Sequence, residues 1–399
     1  MAKINQGFLN LKENYLFIEI GRKIREYVEA NPEKPIIRMG IGDVTLPLAP
    51  VVVEAMQKAA SEMGVKETFR GYEDSGRGYA FLREAVAGYY GSFSAEIDAD
   101  EVLISDGAKS DGGNITDIFA EDNIVVVSDP VYPVYVDSNV MNGKNLIYAD
   151  ATEATGFAPV VPKGQKADII YLCSPNNPTG SVLTKAQLKE WVDYALENKA
   201  VIIYDAAYEA FISDPDLPRS IFVIENAKKC AIEIGSLSKT AGFTGTRCGY
   251  TIIPKELEFC GANGEVFNVL KIWSRRQGSK FNGVSYVTQR GAEAVFTPEG
   301  IRQTREAIAY YMQNAAIMSR TFDALGVTYT GAKNSPYIWF KCGMPSWDFF
   351  DLLLSKKQVV GTPGVGFGKN GDGWFRLTAF STRENTEEAM KRVSELLKK

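Results

Sequence analysis

Short, nearly continuous apolar runs recur along this chain, separated by stretches with helical spacing. The runs are VLIS (Val102–Ser105) and those within NIVVVSDP (123–130), ADIIYLCSP (167–175), AVIIYDAAY (200–208), CAIEIGS (230–236) and CGYTIIP (248–254). Such runs, rich in β-branched and aliphatic residues with no polar alternation, are the mark of strands covered on both faces. Between them, residues 184–199 place Leu188, Trp191, Val192 and Ala195 on one helical face. Helical spacing also marks 18–30, 51–63 and the end of 69–90, the last after a glycine-rich loop, while IIRMGIGD (36–43) reads as a strand running into a glycine turn at Gly40 and Gly42. Strand and helix alternate, which predicts an α/β protein with a mostly parallel sheet wrapped by helices.

In such sheets ligands sit beyond the carboxyl ends of the strands. Asp106, Asp129, Asn177, Asp205, Ser236 and Ser238 all follow apolar runs and fall there. In EVLISDGAKSDGGNITDIF (101–119), Gly107 allows a sharp turn and a helix starts near Ala108. Free amides at such a start form an anion site, although an ordinary strand-to-helix connection has the same pattern.

IGSLSKTAGFTGTRCGY (234–250) centres on Lys239, with Ser236 and Ser238 before it and Arg247 eight positions on. A lysine that forms a Schiff base must shed its proton, because only the neutral amine attacks a carbonyl. Burial and a neighbouring cation both favour that. Two hydroxyls and a forked guanidinium are suitable donors to a phosphate. The same residues would also make a plain serine-lysine turn beside a surface arginine. If the aldehyde is pyridoxal phosphate, Asp205 is placed to keep its pyridine nitrogen protonated, making the ring an electron sink. Tyr208 and Asn177 can donate to its phenolic oxygen, and Tyr132 can stack on its face.

Composition narrows the chemistry. The chain has 399 residues, enough for two domains or equally for one large α/β domain with a smaller appendage, and no histidine, so Ser-His-Asp triads, Cys-His pairs and most catalytic zinc sites are excluded. Proton transfer must use lysine, carboxylate, tyrosine or water. A net charge of -5 and the lack of a basic run leave no footprint for nucleic acid. Five scattered cysteines suggest reduced thiols in a cytoplasmic protein, and no apolar stretch matches a secretory signal or a membrane span.

With SPNNPTG, YDAAY, SLSKTAGFTGTR and FRLTAF in one order, the sequence resembles the fold-type I aminotransferases that use pyridoxal phosphate. NLKENYLF, RMGIGDVTLPL, SDGAKSDGGNI, DPVYPVYVDSNVM, SKFNGVSY, AVFTPEG and SPYIWF look like the LL-diaminopimelate aminotransferase family in particular. That resemblance implies a seven-stranded, mostly parallel sheet in a large cofactor domain (48–289), with a smaller α+β domain built from both termini (1–47 and 290–399). It implies that Lys239 binds the cofactor and carries the proton, and that Ala108, Lys109, Ser236, Ser238 and Arg247 hold the phosphate. Tyr132, Asn177, Asp205 and Tyr208 would surround the ring, and Arg376 would clamp the substrate α-carboxylate. Tyr15, Gly42, Tyr72, Lys109, Tyr132, Asn177 and Asn282 would complete the substrate pocket, with Tyr72 and Asn282 coming from the second subunit of a homodimer and touching the cofactor as well. The implied reaction moves an amino group between L,L-diaminopimelate and 2-oxoglutarate, giving tetrahydrodipicolinate and glutamate. Another aminotransferase or a pyridoxal-dependent β-lyase would use the same cofactor residues, and a ligand-sensing module would lack the chemistry. One departure concerns the distal end of the substrate: the loop Tyr72, Glu73, Asp74, Ser75, Gly76 is one residue longer than that family's pattern.

Overall fold

The computed structural model describes residues 2–11, 16–40, 42–73 and 75–398. Tyr15 and Asp74 lie outside the described residues. The apolar runs form a seven-stranded sheet from β1 (Val102–Ser105), β2 (Ile124–Asp129), β3 (Asn145–Asp150), β4 (Ile169–Cys173), β5 (Val201–Asp205), β6 (Ala231–Ser236) and β7 (Gly249–Ile252). Their spatial order is β1-β7-β6-β5-β4-β2-β3. Only β7 runs against its neighbours, β1 and β6, and the remaining pairs are parallel.

Burial explains why the runs lack alternation. Ile202 packs into one apolar cluster with Val52, Leu82, Tyr90 and Trp191, whereas the next residue, Ile203, packs into another with Val125, Ile232 and Trp273. Both faces are therefore covered. The strand that the pattern does not reveal is β3, an edge strand in which only Ala149 is buried. Helix 184–199 forms as its spacing predicts: Thr184 caps Lys185–Asn198 by accepting from the Gln187 amide at 3.2 Å, and Leu188, Trp191, Val192 and Ala195 are buried. The other helical stretches become Leu16–Ala30, Pro50–Met63 and Ala80–Gly91.

Both ends of the chain build the second unit. Its antiparallel sheet runs Tyr329–Gly331, Tyr337–Lys341, Trp374–Thr378, Thr362–Pro363 in space. Leu16, Ile20, Ile24 and Met39 share its core with Met318, Phe322, Phe340, Phe350 and Val393. Within IIRMGIGD the strand shrinks to Ile37–Arg38, which pairs in parallel with Val359–Val360. The 28-residue helix Pro298–Leu325 contributes Met318 and Phe322 to that core. A seam drawn at residue 290 passes through helix Tyr286–Val295, whose Ala292 and Val295 pack with the large sheet.

Candidate active site

Strand direction brings the polar residues together. Ser105, Asp129, Cys173, Asp205 and Ser236 close parallel strands at one edge of the sheet. Because β7 is reversed, its first residue, Gly249, pairs with both Ser105 and Ser236 at that same edge. Arg247, two residues earlier, therefore arrives beside Ser238.

Lys239 lies in the one-turn helix Leu237–Thr240, whose cap Ser236 accepts from the Ser238 amide at 3.2 Å. Burial pulls the Lys239 ammonium down to about 8; Asp43 opposes this, and Arg247 and Arg376 add to it. An amine at that value is roughly one-fifth neutral near pH 7.4, far more than an ordinary lysine. Arg247 donates from Nη1 to Ser238 Oγ at 3.1 Å and to the Thr244 carbonyl at 3.3 Å. It adopts a left-handed backbone, φ +64°, that an L-residue rarely takes. Across from it Gly107 turns at φ +132°, and a side chain there would meet Arg247 Nη2 at 2.5 Å. Gly107 thus keeps open a turn lined by Ser236, Ser238, Arg247 and the amides at Ala108 and Lys109, a donor set suited to phosphate.

Asp205 is buried, and burial raises its carboxyl above the usual range, against hydrogen bonds from Tyr135 and the Ala207 amide. Its Oδ1 accepts from Ala207 N at 2.9 Å and its Oδ2 from the Tyr135 hydroxyl. Tyr135 is a residue the sequence reading did not single out. The signal was there in DPVYPVY: Tyr132 caps helix Pro133–Met141 and Tyr135 lies three residues on, so both present to the same side. Their rings meet edge to face at 5.7 Å.

Arg376 is 1% exposed, and its guanidinium spans three segments. Nη1 donates to Asn177 Oδ1, and Nη2 donates to the Gly40 carbonyl at 2.6 Å and to Thr362 Oγ1 at 3.2 Å. Its Nε is buried and, among the described residues, has no hydrogen-bond partner. A buried donor left unpaired is costly, so the geometry suits an anion arriving there. The guanidinium also lies over the rings of Tyr337, at 4.6 Å, and Phe367, at 4.9 Å.

Tyr208 meets Tyr337, hydroxyl to hydroxyl, at 2.6 Å. A side chain at Gly42 would come within 2.3 Å of that Tyr337 hydroxyl, which explains a glycine there. Lys109 lines a groove of about 1070 Å³ with Lys23, Glu19, Asp137, Trp347 and Phe367, while Lys239 lines a separate cavity of about 420 Å³. Tyr72 is 82% exposed and Asn282 is exposed. Among the described residues neither is hydrogen-bonded to Lys239, Asp205 or Arg376. One chain thus gathers Gly42, Ala108, Lys109, Tyr132, Asn177, Asp205, Tyr208, Ser236, Ser238, Lys239, Arg247 and Arg376 around the sheet edge and its junction with the second unit. No helix among the described residues is long and apolar enough to cross a membrane.

Known proteins are similar to this chain along nearly its full length. Residues 34–393 match the family model described as aminotransferase class I and II. The LL-diaminopimelate aminotransferase of Lachnospira eligens is 53% identical, over 99% of this chain and all of that protein. The solved L,L-diaminopimelate aminotransferase of Chlamydomonas reinhardtii superposes with a TM-score of 0.93 at 42% identity, covering 99% of this chain and 98% of that one. Substrate-bound BacF of Bacillus subtilis follows at 27% identity and a TM-score of 0.86, with 99% and 98% covered. The family-model match over residues 34–393 and a relative 53% identical along its full length place the protein in the class I and II aminotransferases and, within them, in the LL-diaminopimelate aminotransferase family.

Proposed function

We propose that the protein moves an amino group between L,L-diaminopimelate and 2-oxoglutarate, producing tetrahydrodipicolinate and glutamate, with pyridoxal phosphate as cofactor. The observation that carries this is the pairing of Lys239, drawn down to about 8, with a donor-lined turn kept clear by Gly107 and a strand-end carboxylate at one sheet edge. The residues fit the cofactor. Gly107 keeps the turn clear, Ser236, Ser238 and Arg247 offer donors, and Asp205 retains acceptor capacity for a protonated ring nitrogen. When bound, pyridoxal phosphate supplies an electron-withdrawing ring that takes up the electron pair released as the substrate Cα–H bond breaks.

The chain supplies the rest. Asp205, held by Tyr135 and Ala207 N, favours the positive charge on the ring nitrogen. Tyr132 would cover one ring face, and Asn177 and Tyr208 would donate to its phenolic oxygen. Arg376 binds the α-carboxylate and fixes the Cα–H bond relative to Lys239, whose Nζ takes up the proton. Lys109 would add a cation to the substrate pocket.

We also propose a division into a large unit over 48–289 and a smaller one from 1–47 and 290–399, and a homodimer in which exposed Tyr72 and Asn282 reach the second copy's site. The test is a coupled assay on purified protein. Glutamate should support amination of tetrahydrodipicolinate, and Lys239→Ala should remove more than about 10⁴-fold of turnover together with the visible absorbance of the loaded protein. Preference for aromatic or aspartate donors would overturn the substrate; turnover retained by Lys239→Ala would overturn the mechanism. Release of pyruvate from cystathionine would point instead to a lyase.

A further inference from the structure

Tyr337 comes from the second unit, yet it touches residues on both sides of the proposed reaction. Its ring is 1% exposed, on strand Tyr337–Lys341, which pairs with the strand carrying Arg376. The hydroxyl end lies 2.6 Å from the Tyr208 hydroxyl, and the rings meet edge to face at 5.1 Å. The ring face carries the Arg376 guanidinium at 4.6 Å. Gly42, which leaves room for that hydroxyl, closes the third side.

Each phenol has one proton, so only one of the pair can donate to the other. When Tyr208 gives its proton to an acceptor in the site, its oxygen becomes free to accept, and Tyr337 is the donor within reach. A phenol that accepts while it donates is the stronger donor, because hydrogen bonds in a chain polarise one another. From this geometry we infer that Tyr337 is a positioning residue for both halves of the site: its hydroxyl strengthens Tyr208 as a donor to the cofactor's phenolic oxygen, and its ring seats Arg376 for the substrate carboxylate. The two roles belong to different atoms of one side chain and can be separated. The inference rests on the cofactor reading proposed above.

The experiment uses pyridoxal phosphate-loaded wild type, Tyr208→Phe, Tyr337→Phe and Tyr337→Leu. The pH midpoint of the visible absorbance and the kcat and KM for glutamate and 2-oxoglutarate are read for each. A weaker donor leaves the phenolic oxygen more basic, so Tyr208→Phe should raise the midpoint, and Tyr337→Phe should raise it by a smaller amount, about half a pH unit. Tyr337→Phe keeps the ring, so its KM for both carboxylates should stay within about twofold of wild type. Tyr337→Leu removes the ring beneath the cation and should raise KM about tenfold. A Tyr337→Phe midpoint identical to wild type, with Tyr208→Phe shifted, would overturn the hydroxyl role and leave the cofactor reading standing. An unshifted Tyr208→Phe would overturn the placement of Tyr208 against the cofactor and this inference with it. An unchanged KM in Tyr337→Leu would overturn the seating of Arg376.

Discussion

Lys239 shows how one buried amine sets a pH response. Its folded pKa lies below the ordinary value for lysine, at about 8 against 10.5, so between these values the folded protein binds fewer protons here than the unfolded chain. Stability contributed at this position therefore rises with pH through that window, and below it the buried ammonium is a cost. The same value sets reactivity. The rate at which cofactor-free protein takes up pyridoxal phosphate should climb with pH and level off above a midpoint near 8, followed by absorbance in a stopped-flow instrument. A midpoint near that of free lysine would mean the amine is not buried as described. Tyr135 acts on Asp205 in a comparable way. Tyr135→Phe removes the phenol that donates to Asp205 Oδ2, leaving a buried carboxylate oxygen short of a donor. Loss of such a bond is worth about 1–3 kcal/mol, so cofactor affinity should weaken roughly tenfold or more by equilibrium titration. Unchanged affinity would make Tyr135 only a packing residue.

At the scale of elements, β6 holds a second titrating group far from the chemistry. Glu233 is fully buried and accepts from Tyr90 Oη at 2.6 Å, Ser220 Oγ at 2.7 Å and Ile221 N at 3.0 Å. Burial raises its carboxyl to about 7, against those hydrogen bonds. Because the folded pKa exceeds the unfolded one, this contribution is fully present below about pH 4.5 and is lost as pH rises through 7. Thermal melts of wild type and Glu233→Gln from pH 5 to 8 should show wild type losing stability relative to the variant, on the order of a few kcal/mol. Parallel curves would refute it. The elements also show what the sequence could reveal. β4, β5 and β6 were legible because both their faces are buried, and their strand ends delivered Asp205 and Ser236. β3 was hidden because an edge strand exposes its polar positions. Tyr135 and Tyr337 were hidden for another reason: their partners lie 70 and 129 residues away, a distance no local pattern encodes. The short strand Ile37–Arg38 is defined by its pairing with Val359–Val360 rather than by its own residues.

For the whole molecule, the proposed dimer can be tested by mixing two inactive chains. If Tyr72 serves the second copy's site, Lys239→Ala and Tyr72→Ala chains, unfolded and refolded together, form hybrids in which one of two sites is intact. With random assortment about half the dimers are hybrid, so about a quarter of wild-type activity should return. No recovery would place Tyr72 in its own chain's site.

The reversal of β7 has a further effect on which parts of the chain can change length. Most connections in the large sheet cross from one edge to the other and have slack at the far edge, as in the exposed turn 163–166 before β4. The link from Lys239 to Arg247 leaves and returns at the same edge, and both its ends are anchored by Ser238 and by the register of Gly249. A single glycine inserted between Phe243 and Thr244 should make protein loaded with the proposed cofactor, pyridoxal phosphate, shed it on gel filtration, while the same insertion between Gly164 and Gln165 should not. Insertions and deletions that accumulate by drift would accordingly collect on the side of the sheet away from the coenzyme.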